Sequence, residues 1–130
     1  MLVVDASVIV EILLGKDEAH KIADLVFDPG WILHAPHLIS LEVASAFRRF
    51  CMTGQMSEGR ARSALSQFAG FPIHRHAHDL LLDRVWELRH TLTCYDAAYV
   101  ALSEALDATL LTRDRRLAAG AVHYPKVQVI

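Results

Sequence analysis

Short apolar runs, each followed by a helix-length segment, recur from one end of this 130-residue chain to the other. That alternation constrains the fold more than any other feature. Leu2–Val4 is an uninterrupted run of aliphatic residues, and "WILHAP" (31–36), "PIHRH" (72–76), "ATLLT" (108–112) and "VQVI" (127–130) are further strand-length segments. A strand covered on both faces reads as a continuous apolar run rather than an alternating one. Pro72 makes the third run an edge strand, because proline cannot donate to a sheet ladder.

Between the strands lie helical patterns. "SVIVEILLG" stops at Gly15, a natural C-terminal cap. "DEAHKIADLVFD" is amphipathic, with Ala19, Ile22, Ala23 and Val26 on one face. "LISLEVASAFRRFCMTG" follows, with Ser40 expected as its N-cap, and Ser57 caps "EGRARSALSQFAG". "DLLLDRVWELRHTL" carries Leu81, Val85 and Leu88 in register, and "RDRRLAAG" is a short helix before the last strand. Strands alternating with helices predict one α/β domain over residues 1–130. Its form is a three-layer α/β/α sandwich with a central, mainly parallel sheet of four to five strands. Right-handed crossovers are expected.

The chain carries a formal net charge of −2, which excludes a basic nucleic-acid coat and leaves any such contact to a local patch. Cys51 and Cys94 stand far apart without a C-x-x-C pair, and both are expected to be small buried hydrophobes in a reducing compartment. The apolar N-terminus lacks a basic leader and is interrupted by Asp5 and Glu11, so neither a signal peptide nor a membrane span is expected, and the location reads as cytoplasmic. No P-loop, dinucleotide fingerprint or G-x-S-x-G elbow occurs.

Ligands of parallel α/β folds bind outside the carboxyl ends of the strands. Asp5 directly ends the first strand, and Asp114 lies two residues beyond Thr112, which ends "LLT". Glu42 falls in the opening turn of the helix after the second strand. Asp96 opens the alanine-rich helix of "TCYDAAYVALSEAL" with the T-x-x-acid spacing of a capping box. Each acid has a bland explanation as a cap or a solvated first-turn charge. As a set they are harder to dismiss, because strand ends and buried helix starts are poor places for solvated charge.

Two like charges ~4 Å apart repel by ~4 kcal/mol at an effective dielectric of ~20. None of the four motifs contains a lysine. A hard divalent cation, Mg²⁺ or Mn²⁺, is the natural compensation for such an oxygen-rich set. Ser7 and Thr112 are placed to orient a carboxylate or a water.

In order and spacing, "VVDASVIVEIL", "SLEVASAF", "CYDAAYVALSEAL" and "LLTRDRRL" resemble the motifs of PIN-domain ribonucleases, most nearly the VapC-type toxins of toxin–antitoxin pairs. The resemblance runs from Leu2 to about Ile130. It implies an Mg²⁺- or Mn²⁺-dependent endoribonuclease in which Asp5, Glu42, Asp96 and Asp114 are the catalytic, metal-binding acids and Ser7 and Thr112 support them. It further implies hydrolysis of RNA to a 5′-phosphate and a 3′-hydroxyl, a homodimer, and a cognate VapB-type antitoxin lying over the acidic pocket.

Other features compete for attention. Arg48 and Arg49, with Arg60 and Arg62, are candidates for a phosphate-binding surface, and Arg113, Arg115 and Arg116 surround Asp114 with positive charge. Arg48, Arg49, Arg113, Arg115 and Arg116 are the candidate RNA contacts. His74, His76 and His78 alternate as strand-face metal ligands would, although eight histidines make such clustering easy by chance. Trp31, Trp86, Phe47, Phe50 and Phe68 are expected mostly in the core, and Glu11 behind the four acids or in solvent. Two rivals remain. A phosphoryl-transfer domain of receiver or haloacid-dehalogenase type would want a lysine near the acids, and a non-catalytic binding module would keep the acids apart as helix caps.

Overall fold

The computed structural model describes residues 1–130. Five strands, β1 (Leu2–Val4), β2 (Leu33–Pro36), β3 (Ile73–His76), β4 (Thr109–Thr112) and β5 (Val127–Val129), form one sheet in the order β3-β2-β1-β4-β5. Every pairing is parallel. The apolar runs β1 and β4 sit adjacent at the centre, where β1 is buried throughout. The strand containing the expected edge signal, β3, is an edge.

Seven helices complete the α/β/α sandwich: α1 (Ala6–Leu14), α2 (Ala19–Val26), α3 (Ile39–Met52), α4 (Glu58–Ala69), α5 (Leu82–Glu87), α6 (Cys94–Leu106) and α7 (Arg115–Gly120). Helix α1 packs on α2, α3 and α4, whereas α6 packs on α5 and on β1, β2 and β4. Gly15 closes α1 in the left-handed conformation at φ 66°, and its amide bonds the Ile12 carbonyl. From Ala97 to Ser103 every residue of α6 is buried, so this helix is held on all sides. Ser103, the hydroxyl in that run, is satisfied by donating to the Tyr99 carbonyl one turn earlier.

Several expectations change. The segment 79–92 is a 3-10 turn (Asp79–Leu81) running into the six-residue α5, although Leu81, Val85 and Leu88 are buried as their spacing requires. Ser40 does not cap α3: the helix has Leu38 at its N-cap, and the Leu38 amide donates to His78 Nε2 at 3.0 Å. A remote imidazole replaces the local hydroxyl. Cys94 is exposed and Cys51 only partly buried, because they occupy the first turn of α6 and the last turn of α3, where the packed face has ended. Trp31 and Trp86 are exposed at 45% and 62%, while Phe47 and Phe68 are core residues. Trp86 lies on the solvent side of the short α5, with the Arg89 guanidinium over its ring.

Candidate active site

At the carboxyl edge of the sheet lies a cavity of about 800 Å³. Asp5, Glu42, Asp96 and Asp114 all line it, together with Ser7, Glu11, Arg49, Tyr99 and Arg113. Four segments distant in sequence deliver the acids. Asp5 arrives from the end of β1, Glu42 from the first turn of α3, Asp96 from the first turn of α6, and Asp114 from the turn after β4.

The bland readings are also correct, for some of the acids. Asp5 caps α1 by accepting the Val8 amide, and Asp114 caps α7 by accepting the Arg116 and Leu117 amides. Thr93 caps α6 by accepting the Asp96 amide at 3.1 Å. Capping and cavity lining coexist because a helix that follows a parallel strand starts at the sheet edge where ligands bind.

The acids differ in how they are held. Asp5 is 4% exposed, and its Oδ1 takes the Ser7 hydroxyl at 2.5 Å and the Val8 amide at 3.2 Å. Its Oδ2 takes the Thr112 hydroxyl at 2.5 Å. A carboxylate offers about four lone-pair sites, so these donors leave Asp5 little spare acceptor capacity. On Asp114, Oδ1 serves the α7 amides, with Arg116 N at 2.7 Å, and Oδ2 is free. Glu42 accepts one hydrogen bond, from the Tyr99 hydroxyl to Oε2 at 2.6 Å. The Asp96 carboxylate has the Thr93 hydroxyl as its side-chain partner and otherwise faces the cavity.

Electrostatics follows from this crowding. Burial raises the Asp5 carboxyl above its ordinary range, against the opposing hydrogen bonds of Ser7, Thr112 and the Val8 and Ser7 amides. Glu42 is raised by burial and by the charges of Asp5 and Asp96, with the Tyr99 hydrogen bond opposing. Asp96 is raised by burial and by Asp114, with the Thr93 hydrogen bond opposing. The acids therefore lie within one another's fields.

No cation of the protein is salt-bridged to any of the four. Arg113, on the cavity wall, faces Glu11 at 3.7 Å and bonds the Ile130 carbonyl. Glu11 is thus an arginine partner on the cavity wall. The cavity lining holds no lysine, which removes the ground for a receiver-like or dehalogenase-like reading. The donor chemistry, all oxygen and anionic, fits a hard divalent cation. As positioned here, no three or more His, Cys, Asp or Glu side chains stand close enough together to hold a metal ion by themselves.

Among the candidate RNA contacts, Arg49 and Arg113 line the acidic cavity. Arg48 instead lines a separate groove between α3 and α4 with Arg62, and Arg115 and Arg116 are not part of the cavity wall. Arg60 is committed to the Leu13 carbonyl at 2.7 Å, so the expected continuous arginine surface is broken up. The histidines gather on β2 and β3: His34 Nδ1 lies 3.0 Å from His76 Nε2, and His34 stacks on His74. They form no metal group, and His78 serves α3 instead.

Sequence reasoning missed Tyr99. Its signal was present in retrospect: a phenol three residues after Asp96, on the same face of a helix otherwise too apolar to satisfy a hydroxyl.

Comparison with known proteins places this geometry. The PIN domain family model matches residues 2–122. Ribonuclease VapC1 of Mycobacterium tuberculosis is 42% identical over 118 residues, covering 90% of this chain and 88% of that one. The crystal structure of Mycobacterium tuberculosis VapC20, a sarcin–ricin loop cleaving toxin, superposes with a TM-score of 0.71 at 15% identity, covering 98% of this chain and 99% of that one. A toxin–antitoxin complex from Klebsiella pneumoniae superposes with a TM-score of 0.67 at 21% identity, over 98% of this chain and 96% of its counterpart.

Proposed function

The chain belongs to the PIN-domain family, among relatives named VapC ribonucleases, and on that premise we propose that it is a toxin of a toxin–antitoxin pair that hydrolyses RNA phosphodiester bonds with Mg²⁺ or Mn²⁺. The observation that carries this reading is the convergence of Asp5, Glu42, Asp96 and Asp114 on one cavity without a basic partner for any of them. Asp96 and the free oxygens of Glu42 and Asp114 would hold the ion, with Asp5 behind them. An ion held there would draw on water for the rest of its shell, as Mg²⁺ prefers. When bound, the ion supplies activation of water and neutralisation of charge developing on the phosphodiester.

The protein's own groups do the rest. Ser7 and Thr112 fix the Asp5 carboxylate. Arg49 and Arg113, on the wall of the same cavity, attract the RNA backbone toward otherwise repulsive acids. The apolar remainder of the wall, including Val10, Leu14, Leu38 and Phe50, suits cover by an antitoxin segment. A homodimer is part of the same reading.

Incubation of purified protein with RNA, with and without EDTA, tests it. Cleavage is expected with Mg²⁺ or Mn²⁺ and lost in chelator and in Asp96→Asn. Cleavage that persists in EDTA, or survives that substitution, overturns the proposal.

A further inference from the structure

We propose that Tyr99 is a positioning residue for the cavity's chemistry: its phenol fixes the Glu42 carboxylate so that the second oxygen of that carboxylate faces the metal-binding space. The inference rests on the metal-dependent reading above and names a residue that reading does not require.

The argument begins with how differently the acids are anchored. Asp5 and Asp114 are held by donors from the helix turns they cap, within three residues of each. Glu42 has no such local anchor. It lies in the first turn of α3, whose start has no side-chain cap from its own segment, and its longer side chain has more rotatable bonds than an aspartate. One hydrogen bond from another helix, Tyr99 to Oε2 at 2.6 Å, selects its conformation.

Tyr99 is suited to that task. Its side chain is 1% exposed and sits mid-way through the fully buried run of α6, so the phenol itself cannot wander. It lies three residues after Asp96 on the same helix face. One rigid helix therefore presents one acid and restrains another, fixing the relation between α3 and α6 at the cavity. Phenylalanine would fill nearly the same volume without the donor. Groups that orient metal ligands typically contribute about 10–100-fold in affinity or activity.

The test compares wild type with Tyr99→Phe by Mn²⁺ titration followed by electron paramagnetic resonance, alongside steady-state RNA cleavage. Tyr99→Phe is expected to bind Mn²⁺ roughly 10–100-fold more weakly. Its kcat at limiting Mn²⁺ falls and recovers as Mn²⁺ approaches saturation, while KM for RNA stays unchanged. A purely structural role would lower the folded fraction and would not be rescued by metal. Equal Mn²⁺ affinity in the two proteins overturns the inference alone. A wild type that takes up no Mn²⁺ overturns the functional reading and this inference together. Should Tyr99→Phe fail to fold, the wild type suffices. The buried Tyr99 hydroxyl proton is expected as a downfield proton resonance that shifts on addition of Mg²⁺, and a resonance unmoved at saturating Mg²⁺ overturns the proposal.

Discussion

Thr112 donates its hydroxyl to Asp5 across the β1–β4 pair at 2.5 Å and accepts the Asp114 amide at 2.8 Å, so a single fully buried oxygen joins two of the cavity's acids. Substitution Thr112→Val keeps the shape and removes both interactions. A buried group left without its partner costs about 1–3 kcal/mol. Denaturant unfolding of Thr112→Val should show a loss of that order, with RNA cleavage reduced. Thr112→Ser, which keeps the hydroxyl, should retain most of the activity.

The raised carboxyls set the pH dependence of the metal-free protein. Burial lifts Asp5, Glu42 and Asp96 above their unfolded values, so the folded chain binds more protons than the unfolded one. Their stabilising contribution is complete below the ordinary carboxylate range of about 4 and is lost as pH rises through the raised values. Thermal unfolding in EDTA should therefore show these groups eroding stability between acid and neutral pH. Activity should run the opposite way, rising as the same carboxyls ionise.

From the same repulsion, Asp96→Asn should be more stable than wild type at neutral pH in EDTA, by roughly 2–4 °C in midpoint, and inactive. Asp96 is the place to look, since burial and the Asp114 charge both act against its ionised carboxylate and a neutral amide removes both effects. An unchanged or lower midpoint would mean that the acids do not strain the metal-free fold. Added Mg²⁺ or Mn²⁺ should raise the wild-type midpoint saturably and Asp96→Asn much less.

Two adjacent arginines should separate in function. Arg49 lines the acidic cavity and Arg48 the α3–α4 groove. For a single-stranded RNA, each phosphate contact contributes about 0.7 to the slope of log affinity against log salt. Arg49→Ala should flatten that slope by about this amount in an inactive Asp96→Asn background, and Arg48→Ala should leave it unchanged.

Gly120 packs tightly against the turn that leads into α6. A Cβ there would lie 2.5 Å from the Leu92 side chain and 2.5 Å from the Thr91 carbonyl, immediately before the Thr93 cap of α6. Gly120→Ala should destabilise by about 1–3 kcal/mol through overpacking, measured by denaturant titration.

Much of this protein was determined locally. Continuous apolar runs and the helices between them fixed a parallel sheet in three layers, because a strand covered on both faces has no reason to alternate. Asp5 and Asp114 were legible because each follows a strand by a fixed short distance, which puts it at the carboxyl edge whatever the details. Thr93 was legible as a cap from its spacing to Asp96.

Only the tertiary structure decided which side chains meet across segments. It assigned Tyr99 to Glu42, His78 to the start of α3, Arg113 to Glu11 and Arg60 to Leu13, and it parted Arg48 from Arg49. Caps and burial patterns depend on neighbours within a turn, and so they are written in the local sequence. A hydrogen bond between residues 57 positions apart depends on how α3 and α6 approach each other, and that follows only from the packing of the whole core.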